Sequence, residues 1–374
     1  MRREKLDKLA KRFVKETLRV APGENAWIEH RGLDAAPLAM ACAEAVSEAG
    51  GNPILIDSGS AATKIEIERL DAGQIFEWGR RKLELMRTMD VYVRVEEDFD
   101  FAALDLSEEK RAEWQRAMGP VNSLRMDRTR WLVLAAPSKA FAKAHGLTRE
   151  RFDRFYLDIC LADPTKMRKA VEPLRKLLAE AEDVVISAPR QGTLLRFSVA
   201  GIAARACTGG RNVPDGECYT APVLGSAEGT IVFGPSWQRG HRFERIALTL
   251  SEGVVVDAEA DSPERTKALL RILDSDPGAG RFGEFAIGFN PLAKTPTGNI
   301  LFDEKIDGSL HLALGRCYKE VPNGNDSSIH WDLVQIQRPE FGGGTIAIDG
   351  RVIREDGRFV VPELLELNPE RLLE

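Results

Sequence analysis

The sequence predicts an α/β protein, with a mostly parallel-sheet α/β domain over residues 1–188 and a β-rich α+β domain over residues 189–374. Three observations carry this expectation. Apolar strand-like runs alternate with amphipathic helical runs through the first half, as in a parallel sheet covered on both faces. The pattern changes near Ala188-Pro189-Arg190-Gly192, after which short β-branched runs are separated by glycines. Repeated Asp-Gly and Glu-Gly pairs at 252–253, 307–308, 349–350 and 356–357 signal β-hairpins in the second half.

Leu6, Leu9, Phe13 and Thr17 recur at helical spacing, predicting a helix over about 4–18 that stops before Pro22-Gly23. A short strand follows at 26–30. The Ala-rich stretch 35–48 reads as a helix with Pro37 near its start, ended by Gly50-Gly51. Residues 53–57 form a buried strand, and further strands are expected at 89–94, 131–135 and 183–187. Helices are expected at 62–85, 138–144, 149–160 and 166–180. Beyond 188 the strand candidates are 194–200, 229–233, 246–250, 253–257, 299–302 and 344–348, with about three helices among them. The segment 311–318 fits either a helix or a strand end.

Composition narrows the function classes. The chain has 374 residues, 43% of them hydrophobic, enough to bury substantial cores. A net charge of −6 gives no broad basic surface for nucleic acid. Five cysteines at 42, 160, 207, 218 and 317 form no C-x-x-C pair, arguing against a disulfide scaffold or a zinc knuckle. The opening Met1-Arg2-Arg3-Glu4-Lys5 is followed by no apolar run, so neither a signal peptide nor a membrane span is expected, and a cytoplasmic protein is the default. Gly342-Gly343-Gly344 lacks the strand-helix context of a phosphate loop.

His330 and Asp332 lie two apart in Ile329-His330-Trp331-Asp332-Leu333-Val334, so a strand would present both on one face and Ile329, Trp331 and Leu333 on the other. In a chain with five histidines this pair is the leading candidate for a histidine–carboxylate metal site, and a hydrogen-bonded structural pair is the alternative. Glu217 and Glu284 each follow a glycine and precede apolar residues, which suggests carboxylates partly buried and in need of a partner or a metal. His311 lies in an apolar run that fits a core histidine equally well. Tyr318 alone reads as a core or rim phenol. Three carboxylates and two imidazoles would suit two divalent ions sharing a bridging group. No H-E-x-x-H is present.

Four segments together carry a resemblance. They are 212–229 (NVPDGECYTAPVLGSAEG), 280–288 (GRFGEFAIG), 301–318 (LFDEKIDGSLHLALGRCY) and the S-x-I-H-x-D ending at Asp332, with Arg130–Tyr156 adding support. The chain resembles the aminopeptidase T/AmpS/PepS family of metallo-aminopeptidases over nearly its whole length. The resemblance implies two divalent ions (zinc, cobalt or manganese) held by Glu217, Glu284, His311, Tyr318, His330 and Asp332. It implies release of N-terminal residues from peptides with a free amine, and a homodimer. Tyr318 is then expected to touch a metal or the developing oxyanion, and Glu217, with Glu304 as the alternative, to move the proton.

Two positions depart from the family pattern. Leu194 stands in Gly192-Thr193-Leu194-Leu195 where relatives often carry an acidic residue, and Lys305 stands where many carry asparagine. Two rival readings accompany the peptidase. One is a ring-cleaving dihydroxypyridine dioxygenase with iron on His311, His330 and Asp332. The other is a non-catalytic protein on the same scaffold.

Overall fold

The computed structural model describes residues 1–97, 106–144 and 146–374. Its chain divides into two units: Met1–Ala162 with Gly209–Pro214, and Asp163–Thr208 with Asp215–Glu374.

In the first unit five parallel strands lie in the order Asn52–Asp57, Asn25–Arg31, Val91–Glu96, Arg130–Ala135 and Asn212–Val213. The predicted helix at 4–18 is present as Arg3–Arg12, continued by a π-helical stretch Phe13–Thr17. The predicted helix at 35–48 is Ala36–Glu48. The single helix expected at 62–85 is two, Ser60–Arg69 and Ala72–Arg87. Asp71 breaks it: its carboxylate accepts from the Gln74 amide at 2.8 Å while the Gln74 side chain accepts from the Asp71 amide at 2.9 Å. That reciprocal cap starts a new helix rather than continuing the old one.

The second unit begins earlier than expected. The boundary foreseen at 188/189 lies inside it, because helices Pro164–Ala170 and Glu172–Glu180 bury Met167, Leu174 and Leu178 in its core and Asp183–Ala188 is a strand of its larger sheet. These two helices replace the one expected at 166–180. The larger sheet has eight antiparallel strands, in the order Val254–Ala260, Ile246–Ser251, Glu228–Phe233, Thr193–Ser198, Asp183–Ala188, Thr345–Ile348, Arg351–Glu355 and Arg358–Phe359. Three of the four predicted turns join neighbouring strands here, with Glu252, Asp349 and Asp356 at φ near 50° followed by glycines at 70–80°. Successive positive φ values of this kind match the right-handed twist of a tight hairpin.

A second antiparallel sheet has five strands in the order His330–Ile336, Ser309–Gly315, Phe282–Gly288, Glu217–Thr220 and Arg205–Cys207. One core joins both sheets. Phe197 of the larger sheet meets Phe285 of the smaller edge to face, with ring centroids 5.1 Å apart, and Leu248, Ile231, Leu312, Trp331 and Leu333 belong to the same cluster. Two local expectations are corrected. The segment 299–302 is not a strand but part of a short helix, Ile300–Asp303, because the Asn299 side chain caps it by accepting from the Leu301 amide at 3.1 Å. The open question at 311–318 resolves to the strand Ser309–Gly315. Among the described residues no helix is long and apolar enough to cross a membrane.

Candidate metal centre

The face of the five-stranded antiparallel sheet that lies opposite the shared core gathers the polar residues. Alternation does what the sequence anticipates at one end: Trp331 and Leu333 enter the core while His330 and Asp332 take the opposite face. Register then brings the neighbours alongside. Ala313 pairs with Asp332 on one side and with Glu284 on the other, and Ala286 pairs with His311. The small side chains of Ala313 and Ala286 leave the space into which the longer ones lean.

Two glycines make the crowding possible. At Gly283 the pairing shifts register, and a Cβ there would lie 2.2 Å from the Gly315 carbonyl oxygen. This bulge aims Glu284 at the imidazoles. A Cβ on Gly288 would lie 2.5 Å from Ser309 Oγ and 2.8 Å from the carbonyl oxygens of Glu304 and Ile306. Only glycine admits the turn carrying Glu304 and Lys305 so close to the sheet.

The resulting constellation is tight. His330 Nε2 lies 3.3 Å from both Glu284 Oε2 and Asp332 Oδ1. His311 Nε2 lies 3.7 Å from Glu284 Oε1, 3.7 Å from Glu217 Oε2 and 4.0 Å from Asp332 Oδ1. His330 Nδ1 donates to the Arg316 carbonyl at 2.7 Å, which fixes the tautomer and turns Nε2 toward the carboxylates. The Tyr318 ring packs tilted against His330, with centroids 4.9 Å apart, and edge to face against Tyr219 at 5.6 Å. All six residues singled out in the sequence therefore lie in one neighbourhood. Glu217, Glu284 and His311 are nearly completely buried.

The electrostatics follow from burial among mixed charges. Burial alone would raise the Glu284 carboxyl, but His311 and His330 outweigh it and hold the group below the usual range. Asp332 is likewise depressed, against burial, by His330 first and then His311. Burial opposes charge on His311 too, yet Glu284, Glu217 and Asp332 lift it to about 9. His330 rises well above its ordinary value for the same reason, with Asp332 the main partner. Burial raises the Tyr318 phenol and the surrounding carboxylates raise it further.

The spacings test whether a metal fits. Most of these N···O distances exceed hydrogen-bond length. Donors held about 2.0–2.2 Å from one ion lie roughly 3–4 Å from each other, which is the range seen here. Glu217 Oε2, His330 Nε2 and Asp332 Oδ1 are buried without a hydrogen bond, as expected of groups arranged for a ligand other than one another. Among the described residues three groups of donors could hold an ion: Glu284–His311–Asp332, Glu217–Glu304–His311 and Cys207–Asp215–Glu217.

Three features escaped the sequence. Asp215 and Cys207 come beside Glu217, Cys207 through its cross-strand pairing with Glu217; nothing in their spacing announced this. Lys305 is fully buried, and its ammonium contacts Glu217 and lies 2.7 Å from Glu304 Oε1 and 3.9 Å from Asp215 Oδ1. Leu194, the other departure, is 63% exposed, and alternation with the core residue Leu195 puts it on the solvent face of the eight-stranded sheet.

Fold and donor set together define a metallohydrolase architecture. The family profile described as thermophilic metalloprotease (M29) matches residues 2–359, and the chain belongs to that family. Aminopeptidase 2 of Geobacillus stearothermophilus is 25% identical to it across 95% of each chain. The solved structure of wild-type AmpT from Thermus thermophilus superposes with a TM-score of 0.76 at 21% identity, covering 96% of this chain and 99% of that one. The structure of 2,5-dihydroxypyridine dioxygenase from Pseudomonas putida KT2440 superposes with a TM-score of 0.64 at 15% identity, covering 98% and 99%. These two superpositions speak for the fold alone.

Proposed function

We propose that the protein is a metal-dependent aminopeptidase that releases single residues from the free N-terminus of peptides. The observation that carries the reading is the set of imidazole–carboxylate spacings of 3.3–4.0 Å among Glu284, His311, His330 and Asp332, most of them beyond hydrogen-bond length and all suited to donors around a divalent ion. Such an ion supplies Lewis-acid polarisation of a carbonyl and acidification of water. Zinc, cobalt or manganese would serve with this donor set, and family resemblance favours a homodimer. Glu217 faces the same space through Oε2 and completes the anionic wall that would receive a peptide's ammonium terminus.

Tyr318, held against His330, is placed in this proposal to donate its phenolic hydrogen to the developing oxyanion, since its raised proton affinity keeps that hydrogen in place. Of the two carboxylates considered for proton transfer, Glu304 is the better suited. Burial raises it to about 8 despite Lys305, so it can both hold and release a proton near neutrality.

The reading is tested with chelated protein reloaded with Zn(II), Co(II) or Mn(II) and a panel of aminoacyl amides, each paired with its N-acetyl derivative. Turnover of the free amines alone, lost in His330→Ala, is the expected result. Turnover that survives acetylation would contradict it, and oxygen uptake with Fe(II) would instead favour the dioxygenase reading.

A further inference from the structure

The family resemblance implies two cations, and the donor atoms are numerous enough for two. Their distribution is uneven, however. Two of the three donor groups, Glu217–Glu304–His311 and Cys207–Asp215–Glu217, draw on carboxylates that surround the Lys305 ammonium. The third, Glu284–His311–Asp332, belongs to the imidazoles. Glu217 divides its two oxygens between these regions, Oε1 on Lys305 and Oε2 toward His311.

We infer that the Lys305 ammonium fills one of the two cation positions of this centre, so that the chain binds a single divalent ion on Glu284, His311, His330 and Asp332. This rests on the metal-centre reading above and changes its ion count.

The lysine is built into the wall rather than swung into it. Its backbone carbonyl accepts from the Asn290 amide at 2.9 Å and its own amide donates to the Phe302 carbonyl at 3.2 Å. Its side chain is 1% exposed, so the ammonium has no route to water without moving this turn. The turn in turn is pressed onto Gly288. An ammonium has three donors and no acceptor, so it cannot ligate a metal; it can only compete with one for the same oxygens. A dication sharing Glu217 and Glu304 with it would sit beside a buried like charge, where repulsion is poorly screened. Asparagine at this position would bring no charge and would offer a carbonyl oxygen. Lys305 is therefore a positioning residue: it neutralises Glu217 and orients both Glu217 and Glu304 in place of an ion.

The inference is tested by metal content. Wild type, Lys305→Asn and Lys305→Ala are stripped with chelator, titrated with Mn(II), freed of excess metal and analysed by elemental mass spectrometry, with circular dichroism to establish folding. One ion per wild-type chain and two per folded Lys305→Asn or Lys305→Ala chain is the expected result. Two ions in wild type would overturn the inference and leave the metal centre standing. One ion in a folded variant would also overturn it, since the lysine would not be what excludes the second. No ion in wild type would sink the metal-centre reading itself. Should neither variant fold, electron paramagnetic resonance of Mn(II)-loaded wild type decides: an isolated six-line Mn(II) signal agrees with the inference, and a spin-coupled pair refutes it.

Discussion

Loading this centre with a cation must expel protons. In the ion-free protein His311 is held at about 9 and His330 well above its ordinary value, chiefly by Glu284, Glu217 and Asp332 acting against burial. His311 is therefore protonated at pH 7, and His330 is shifted in the same direction. A metal ligand has to be neutral imidazole, so binding one ion through both releases two protons. Each released proton makes the apparent affinity change about tenfold per pH unit below the ion-free value. Between pH 6 and 8 the His311 proton alone predicts a gain of roughly 10²-fold, or about 3 kcal/mol, in favour of the higher pH, and the His330 proton adds to it in the same direction. Isothermal titration with Zn(II) at pH 7 in two buffers of different ionisation enthalpy counts the protons directly. A count near two is expected. A count below one would mean that the imidazoles are already neutral, and the charge assignment of the site would be wrong.

Three further outcomes follow from the same geometry. The raised imidazoles stabilise the ion-free protein fully below their unfolded value of about 6.5, and that contribution disappears as pH rises through about 9; thermal melts of chelated protein at pH 6 and 9.5 should show the loss, and an unchanged Tm would contradict it. Ala313→Leu would thrust a branched side chain between Glu284 and Asp332, weakening ion binding by roughly 10–100-fold and costing about 1–3 kcal/mol of stability; calorimetric affinity equal to wild type would show that the register pairing does not set the spacing. Trp331→Ala removes a buried indole that packs on Phe243 and donates to Ser236 Oγ at 2.9 Å, and should cost about 3–5 kcal/mol in urea unfolding while the folded fraction keeps its ion content.

The legible parts of this molecule are those governed by short periods. His330 and Asp332 could be placed on one face because strand alternation is strict, and the hairpin turns could be placed because few residue pairs tolerate successive positive φ values. Glu217 and Glu284 read only as carboxylates wanting a partner, and His311 and Tyr318 as ordinary core residues; their assembly with the His330–Asp332 pair is reached only through family resemblance, since it depends on register between distant strands. The burial of Lys305 was illegible for a related reason: it hangs on a short helix capped by Asn299, in a segment whose apolar residues read as a strand. The helix Glu108–Arg128 went unnamed because its charged residues show little apolar periodicity and Pro120 lies inside it. Asp71 and Gln74 did carry a cap signature, and reading it would have split the helix expected at 62–85.

The strand His330–Ile336 has its other side in the second unit's core, where Leu333 pairs with Leu312 and Trp331 packs on Phe243. Exposing the backbone that carries the two most outward donors thus requires lifting Trp331 and Leu333 out of that interior as well. Amide protons along this strand should then exchange only through opening of the whole unit, not by local fraying. A centre mounted in this way keeps its shape up to the temperature at which the surrounding unit melts, and gives way together with it.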